Sequence, residues 1–228
     1  MHDIHRKVVL DKGFIALEAE LTSDLSVVNA AKVSFNKQVP VLDEAGEKII
    51  AFLMKNKHGT PFEHNYFRFR VKAPLFVFRE WHRHRVGHSY NECSGRYSEL
   101  ENEFYIPENV RTQVGKPGAY SYEPASEHLA HAFQHQLDRN CVNSFDAYQA
   151  ALNNGIAKEQ ARFLLPVNLY SQMIWSCNAR SLMHFLNLRA EPHAMWEIRQ
   201  YAYAAEGMFA ERMPVTYKAW NENGRVAP

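Results

Sequence analysis

A mixed fold of strands and long helices in one domain is what this sequence predicts, and three stretches predict it. Apolar runs at Val8–Leu10 and Phe14–Leu21 flank Asp11-Lys12-Gly13, the pattern of an opening β-hairpin. From Asn65 to Ala73 the residues alternate, with Phe67, Phe69 and Val71 on one side and Tyr66, Arg68, Arg70 and Lys72 on the other, the period of a half-buried strand. Between Ser126 and Asn153, Leu129, Phe133, Leu137, Cys141, Phe145, Tyr148 and Leu152 recur every three or four residues, which makes a long amphipathic helix with an aromatic core stripe and Gly155 as its stop. A chain of 228 residues, 46% hydrophobic and without a break in composition, closes one core, so residues 1–228 are read as a single domain.

The remaining elements follow in order. Ser23-Asp24 caps a helix through about Phe35, and Ile49, Ile50, Leu53 and Met54 stripe a second from Glu44 to Lys57. Thr60-Pro61-Phe62-Glu63-His64 reads as a tight polar connection. Pro74 stops the strand and starts a helix from Leu75 to about His84. Residues 112–125 hold two glycines and two prolines and read as a long mobile loop. A short helix at Lys158–Leu165 ends at Pro166, Leu169–Cys177 suits a strand, and two helices close the chain. Asn178 caps the first, and the last runs from His193 to Met213 with Met195, Ile198, Ala202, Ala205 and Phe209 on one side.

Charge narrows the partners. With 26 basic and 25 acidic residues interspersed, the net charge is +1, so no global field holds the chain on nucleic acid or an anionic membrane. No run approaches the roughly 18 apolar residues of a membrane span, and Met1–Lys7 lacks the apolar stretch of a signal peptide, so a cytoplasmic protein is expected. Cys93, Cys141 and Cys177 are odd in number and widely spaced, the usage of reduced thiols, and Cys93 is read as a buried small hydrophobe rather than a nucleophile.

The chemistry concentrates in two places. Arg83 to Tyr97 packs three arginines, two histidines and one carboxylate into fifteen residues running from a helix end into a loop. Guanidinium groups cannot be deprotonated and present several N–H donors in a plane, so the partner carries several anionic oxygens, phosphate first. His82, His84 and His88 alternate as zinc ligands do, but the flanking arginines would repel a divalent cation and no metal site is expected. The second place is Asn178–Glu191. Helical spacing puts Arg180, His184, Asn187 and Glu191 on a polar stripe and Leu182, Phe185 and Leu186 on an apolar one, with Arg189 on the apolar side. A guanidinium there needs either a carboxylate partner or an anionic ligand, unless it snorkels to solvent from the helix end. Arg162, three residues after Glu159, reads as half of a solvated pair. On residues alone a phosphate-binding protein without catalysis stays open, and an RNA-binding patch is opposed by the near-neutral charge.

Arg83-His84-Arg85, a polar spacer and Ser94-Gly95-Arg96-Tyr97 resemble the signature of the flavin-dependent thymidylate synthases. Thr60–His64, Leu165–Tyr170 and Asn178–Ser181 through Asn187–Ala190 are similar to further blocks of that family in the same order, so the resemblance covers nearly the whole chain. It implies an α+β protomer, mostly antiparallel sheet packed with long helices, and a homotetramer with its sites where subunits meet. The implied reaction is reductive methylation of dUMP to dTMP with no cysteine nucleophile. FAD is the implied redox cofactor, 5,10-methylenetetrahydrofolate the one-carbon donor and NADPH the reductant. By family correspondence Arg83, His84, Arg85, Asn178, Ala179, Arg180 and His184 contact FAD, joined by Thr60 and Glu92 from a neighbouring subunit. The nucleotide falls to Glu80, Trp81, His82 and Arg83, to Glu92, Cys93, Ser94, Gly95 and Arg96 of another subunit, and to Arg162 and Arg189. Ser94 and Arg96 are suited to the phosphate, and Arg189 to stabilising negative charge on the pyrimidine. This chain departs from the family at two points: Glu80 stands where many members have Gln, and eight residues rather than seven separate Arg85 from Ser94.

Overall fold

The computed structural model describes residues 5–228. Its contacts gather into two units. One comprises the chain up to Ala73, Val77–Glu92 and Gln172–Pro228, and the other Pro74–Phe76 and Cys93–Ser171.

The first unit is a sheet with helices. Its chain opens on β1 (His5–Val9) and β2 (Gly13–Leu21), paired antiparallel around the expected turn. Ser23 then caps α1 (Asp24–Lys32), its side chain accepting from the backbone N–H groups of Leu25 and Ser26, and a single 3-10 turn carries the chain to Phe35. Asp43 caps α2 (Glu44–Lys55), which buries Ile50, Leu53 and Met54 as its spacing requires. The segment read as a polar connection is instead a one-turn helix, α3 (Thr60–Glu63). Pro61 sits in its first turn, where a missing N–H breaks no intrahelical bond.

In β3 (Tyr66–Pro74) the alternation holds, with Phe67, Phe69 and Val71 buried and Tyr66, Arg68 and Arg70 outward. The helix after Pro74 is α4 (Leu75–Trp81), one turn shorter than its apolar pattern suggests. Part of what reads as loop is β4 (His88–Glu92). The other unit supplies β5 (Arg111–Lys116), β6 (Ala119–Pro124), α5 (Glu127–Asn153) and α6 (Lys158–Ala161). The chain then returns through β7 (Tyr170–Asn178), α7 (Ala179–Arg189), α8 (Trp196–Arg212) and α9 (Pro214–Glu222).

The sheet runs in the order β1-β2-β3-β7-β4, and β1–β2, β2–β3 and β4–β7 are antiparallel, which makes the fold α+β. Helix α8 packs on β1 and β2, burying Ile198, Ala202, Ala205 and Phe209, while Met195 is its N-cap. Three helices rather than two end the chain. Pro214 opens α9, and the carboxylate of buried Asp24 accepts from the N–H groups of Val215 and Thr216 and from the Thr216 hydroxyl, at 2.6–2.9 Å. That aspartate serves α9 as a cap supplied from α1.

In the second unit the expected mobile loop at 112–125 is an antiparallel hairpin, β5–β6. Its glycines and prolines mark the turn and the strand ends rather than disorder. Gly118 lies at φ +85 after Pro117, and at Gly115 (φ +100) a Cβ would stand 2.5 Å from the Ala119 carbonyl oxygen. Ser126 caps α5 as its spacing implies, but the aromatic stripe is not core throughout. Cys141 and Tyr148 are buried, and Leu137 and Phe145 pack against Phe104, Cys141 and Leu169, whereas Leu129 and Phe133 are half exposed. Among the described residues no helix is long and apolar enough to cross a membrane.

Candidate active site

The signature segment is built on an aromatic platform. Trp81, the last residue of α4, is buried against Phe185 and Trp175, with ring centroids 5.0 Å away in each case. Beyond Trp81 the chain turns, and the His84 N–H donates to the Trp81 carbonyl. The Tyr90 hydroxyl donates to the carbonyls of His84 (2.6 Å) and Trp81 (3.2 Å), clamping the turn from β4. Burial pushes this phenol well above its ordinary range, the nearby Cys177 adding to the effect, so it stays a donor. The outcome is an alternation that sequence spacing alone does not show: His84 is buried, while Arg83 and Arg85 on either side are exposed.

The turn is held from α7 as well. Gly87 lies at φ +72, and a Cβ there would stand 2.2 Å from the Ser181 oxygen, whose hydroxyl donates to the Val86 carbonyl. Gly87 is thus a left-handed glycine set against the first turn of α7. Gly87→Ala is expected to cost about 1–3 kcal/mol through strain and this overlap, read as a lowered thermal midpoint.

Arg189 is anchored at every edge. Its Nη1 donates to Glu80 Oε2 (2.7 Å), its Nη2 to the Glu80 carbonyl (3.0 Å) and its Nε to His84 Nε2 (2.9 Å). The carboxylate partner that an arginine on the apolar stripe requires is thus Glu80. Because an arginine always donates, His84 Nε2 accepts and the ring is the Nδ1–H tautomer. Burial, reinforced by the Arg189 charge, lowers its pKa to about 3, so the imidazole is neutral. Its Nδ1 is buried with no hydrogen-bond partner. His88 is likewise held neutral, lowered to about 4 mainly by burial, with Nδ1 accepting from the Trp175 indole at 2.9 Å. The rings of His88 and His184 lie 5.8 and 5.9 Å from that of His84. Since the acceptor lone pairs of His84 and His88 are already engaged, the group is a hydrogen-bonded cluster. No set of three or more His, Cys, Asp or Glu side chains suited to a metal ion occurs among the described residues.

The other expected residues of this unit lie on α3, α7 and β4. Arg180, exposed at the start of α7, donates to Glu63 Oε1 (2.6 Å) and to the Pro228 carbonyl, beside Gly59 and Thr60. Asn178 accepts from the Ser181 N–H and is committed to capping, while the Ala179 N–H donates to Asn65. His184 is exposed one turn along the same face. His82 rests edge-on against Tyr90, and Glu92 ends β4 opposite Met173.

In the second unit Ser94 closes a turn, its carbonyl accepting from the N–H groups of Tyr97 and Ser98 and its hydroxyl from that of Arg96. Gly95 is buried, and a Cβ there would approach Leu100 and Arg162. The Glu159 carboxylate pairs with Arg96 (3.2 Å), not with Arg162, which donates to the Glu159 backbone carbonyl. Both partners of the Arg96 pair are more than half exposed, so it is worth about 0–1 kcal/mol. Cys93 corrects the sequence reading outright: it is exposed, not buried.

Sequence reading missed Glu63, Tyr90 and His88 as partners and matched Glu159 to Arg162 rather than to Arg96. Only Tyr90 and His88 left a signal, the alternation of His88, Tyr90 and Glu92 on a strand. What the first unit presents is a fixed guanidinium, a neutral imidazole with an unpaired buried N–H, and two exposed arginines that meet no carboxylate among the described residues. That is the equipment of a protein for anionic, acceptor-rich ligands.

The comparisons name the family. The model of the Thymidylate synthase complementing protein family matches residues 16–215. Flavin-dependent thymidylate synthases of Thermotoga neapolitana and Thermosipho africanus are 46% and 44% identical to the chain over 212 residues, each match covering 93% of this chain and 92% of the relative. Two crystal structures of the UMP/dUMP methylase PolB from Streptomyces cacaoi, bound with 5-Br UMP and 5-Br dUMP, superpose with TM-scores of 0.87 and 0.88 at 39% identity, covering 97% of this chain and 99% and 100% of theirs. The chain belongs to the flavin-dependent thymidylate synthase family.

Proposed function

We propose that this protein methylates dUMP reductively to dTMP, with FAD as redox cofactor, 5,10-methylenetetrahydrofolate as one-carbon donor and NADPH as reductant. The observation that carries the reading is Arg189, a mostly covered guanidinium held on three sides by Glu80 and a neutral His84. A preorganised cation of this kind stabilises negative charge as it develops on a pyrimidine ring, without reorganising at the moment of reaction. The residues also fit a flavin, because the buried His84 N–H lacks an acceptor and Arg83 and Arg85 flank it. A bound flavin would carry the reducing equivalents, while these three side chains would fix its acceptor atoms. Thr60, Glu92, Asn178, Ala179, Arg180 and His184 are assigned to the same cofactor, and Arg180 makes a half-exposed pair with Glu63 that a ligand can displace.

Glu80, Trp81, His82, Arg83, Glu92, Cys93, Ser94, Gly95, Arg96, Arg162 and Arg189 are assigned to dUMP. Arg96 would exchange its solvated pair with Glu159 for the phosphate, with the Ser94 turn beside it. A homotetramer with sites shared between subunits agrees with the half-exposed Leu129 and Phe133 on a helix whose apolar period continues through them. Nothing in this reading calls on Cys93 as a nucleophile. Purification with FAD tests the proposal: a yellow protein whose visible flavin spectrum shifts on adding dUMP is expected, and a colourless protein that FAD cannot reconstitute would refute it.

A further inference from the structure

We infer that residues 224–228 form a strap that fixes the Arg180 guanidinium in position for the flavin. The inference rests on the proposed cofactor and adds a positioning device to its site. After α9 the chain reverses: Gly224 and Arg225 both take left-handed backbone, at φ +73 and +61, and the Arg225 N–H donates to the Trp220 carbonyl at 2.9 Å. A residue other than glycine holds that conformation where its surroundings impose it. Arg225 has such surroundings. Its guanidinium makes two bonds to Glu206 of α8, Nη1 to Oε1 (2.7 Å) and Nη2 to Oε2 (2.8 Å), donates to Asn221 (2.9 Å) and lies 4.2 Å from the centre of the buried Trp220 ring. From this anchor the segment runs to the place where α3 and α7 begin. There Pro228 is buried, and its carbonyl oxygen accepts from Arg180 Nε.

Gly59 lets the parts meet. It stands at φ −76 and ψ −33, backbone that any residue adopts, yet a Cβ there would lie 2.6 Å from Arg180 Nε and 2.8 Å from the Pro228 oxygen. Close approach, not conformation, is what requires a glycine here. With Nε held by Pro228 and one Nη1 N–H by Glu63, two of the five N–H groups of Arg180 are engaged, and three have no acceptor among the described residues. Those three are the groups left to bind phosphate or flavin oxygens. The Glu63 pair alone does not fix them: its side chains are 47% and 36% exposed, and a single solvated ion pair leaves a guanidinium free to turn. A second bond at Nε, made by a buried residue on an anchored segment, fixes the plane before the ligand arrives. Binding then does not have to order the side chain.

FAD titrations followed by quenching of flavin fluorescence test this in the natural chain, in a chain shortened to end at Val226 and in Gly59→Ala, each with Arg180 and with Arg180→Ala. Where Arg180 is present, the shortening and Gly59→Ala are each expected to weaken FAD binding by about threefold to tenfold, the range for ordering one long side chain. In the Arg180→Ala background the same changes are expected to move the affinity by less than about twofold. Equal weakening with and without Arg180 would mean a general effect on the fold, and unchanged or tighter FAD binding in the shortened chain would mean that the segment does not position Arg180. Either result overturns the strap and leaves the proposed function standing. A natural chain that binds no FAD would overturn both. Should the shortened chain not fold, the titrations of Gly59→Ala with and without Arg180 decide the question by the same outcomes.

Discussion

Arg189→Ala is expected to fold, to hold FAD, and to lose about a hundredfold to a thousandfold in the rate of dTMP formation. The expected loss follows from geometry. Arg189 ends α7 on the side facing α4, and its guanidinium is fixed by Glu80 and His84 before any ligand arrives. Replacing it removes the positive charge at the pyrimidine and leaves the Glu80 carboxylate uncompensated, so the site turns from stabilising an electron-rich ring to opposing it. FAD is assigned to Arg83, His84, Arg85 and the start of α7, and should remain. The measurement is turnover in single-substitution variants with flavin content determined in parallel. Lys is not an adequate substitute, since an ammonium cannot span the carboxylate, the carbonyl and the imidazole together. Arg189→Lys is expected to recover less than a tenth of the lost rate, and full activity in either variant would remove Arg189 from the mechanism.

The second large effect is acid sensitivity. His84 and His88 have folded pKa values lowered to about 3 and about 4, against roughly 6.5 in an unfolded chain. Between those limits the unfolded state binds protons that the folded state refuses. Stability therefore rises with pH across that window, falls as pH drops below about 6.5, and is fully lost from these two groups only below about 3. Thermal midpoints measured from neutral pH downward should decline steeply over this range. In His84→Gln, whose amide oxygen can still accept from Arg189, proton uptake on unfolding should shrink by roughly one proton, making the decline shallower. An identical pH slope in that variant would mean that His84 is not held neutral in the folded protein.

What the sequence disclosed and what it withheld divide along physical lines. The Phe67, Phe69 and Val71 alternation, the Ser23, Ser126 and Asn178 caps and the α5 period are local patterns, and they appear where the spacing puts them. The 112–125 hairpin was hidden because glycine and proline punctuate both loops and hairpin turns, and its strands bury almost nothing that would mark a face. Helix α9 was hidden because its cap, Asp24, is nearly two hundred residues away in the chain. The site shows the same split. That Arg189 needs an anionic partner was legible from its place on an apolar stripe, but that Glu80 is that partner depends on how α4 meets α7. The neutrality of His84 was not legible at all, since a histidine between two arginines carries no sign of its burial.

The most direct measurement is release of tritium from dUMP labelled at the pyrimidine 5-position, followed with dTMP formation in the presence of FAD, NADPH and 5,10-methylenetetrahydrofolate. The proposed function predicts that tritium appears in water and dTMP accumulates when all components are present, and that no dTMP forms when the folate donor is left out. A protein that binds FAD and dUMP yet forms no dTMP in the complete mixture would contradict it.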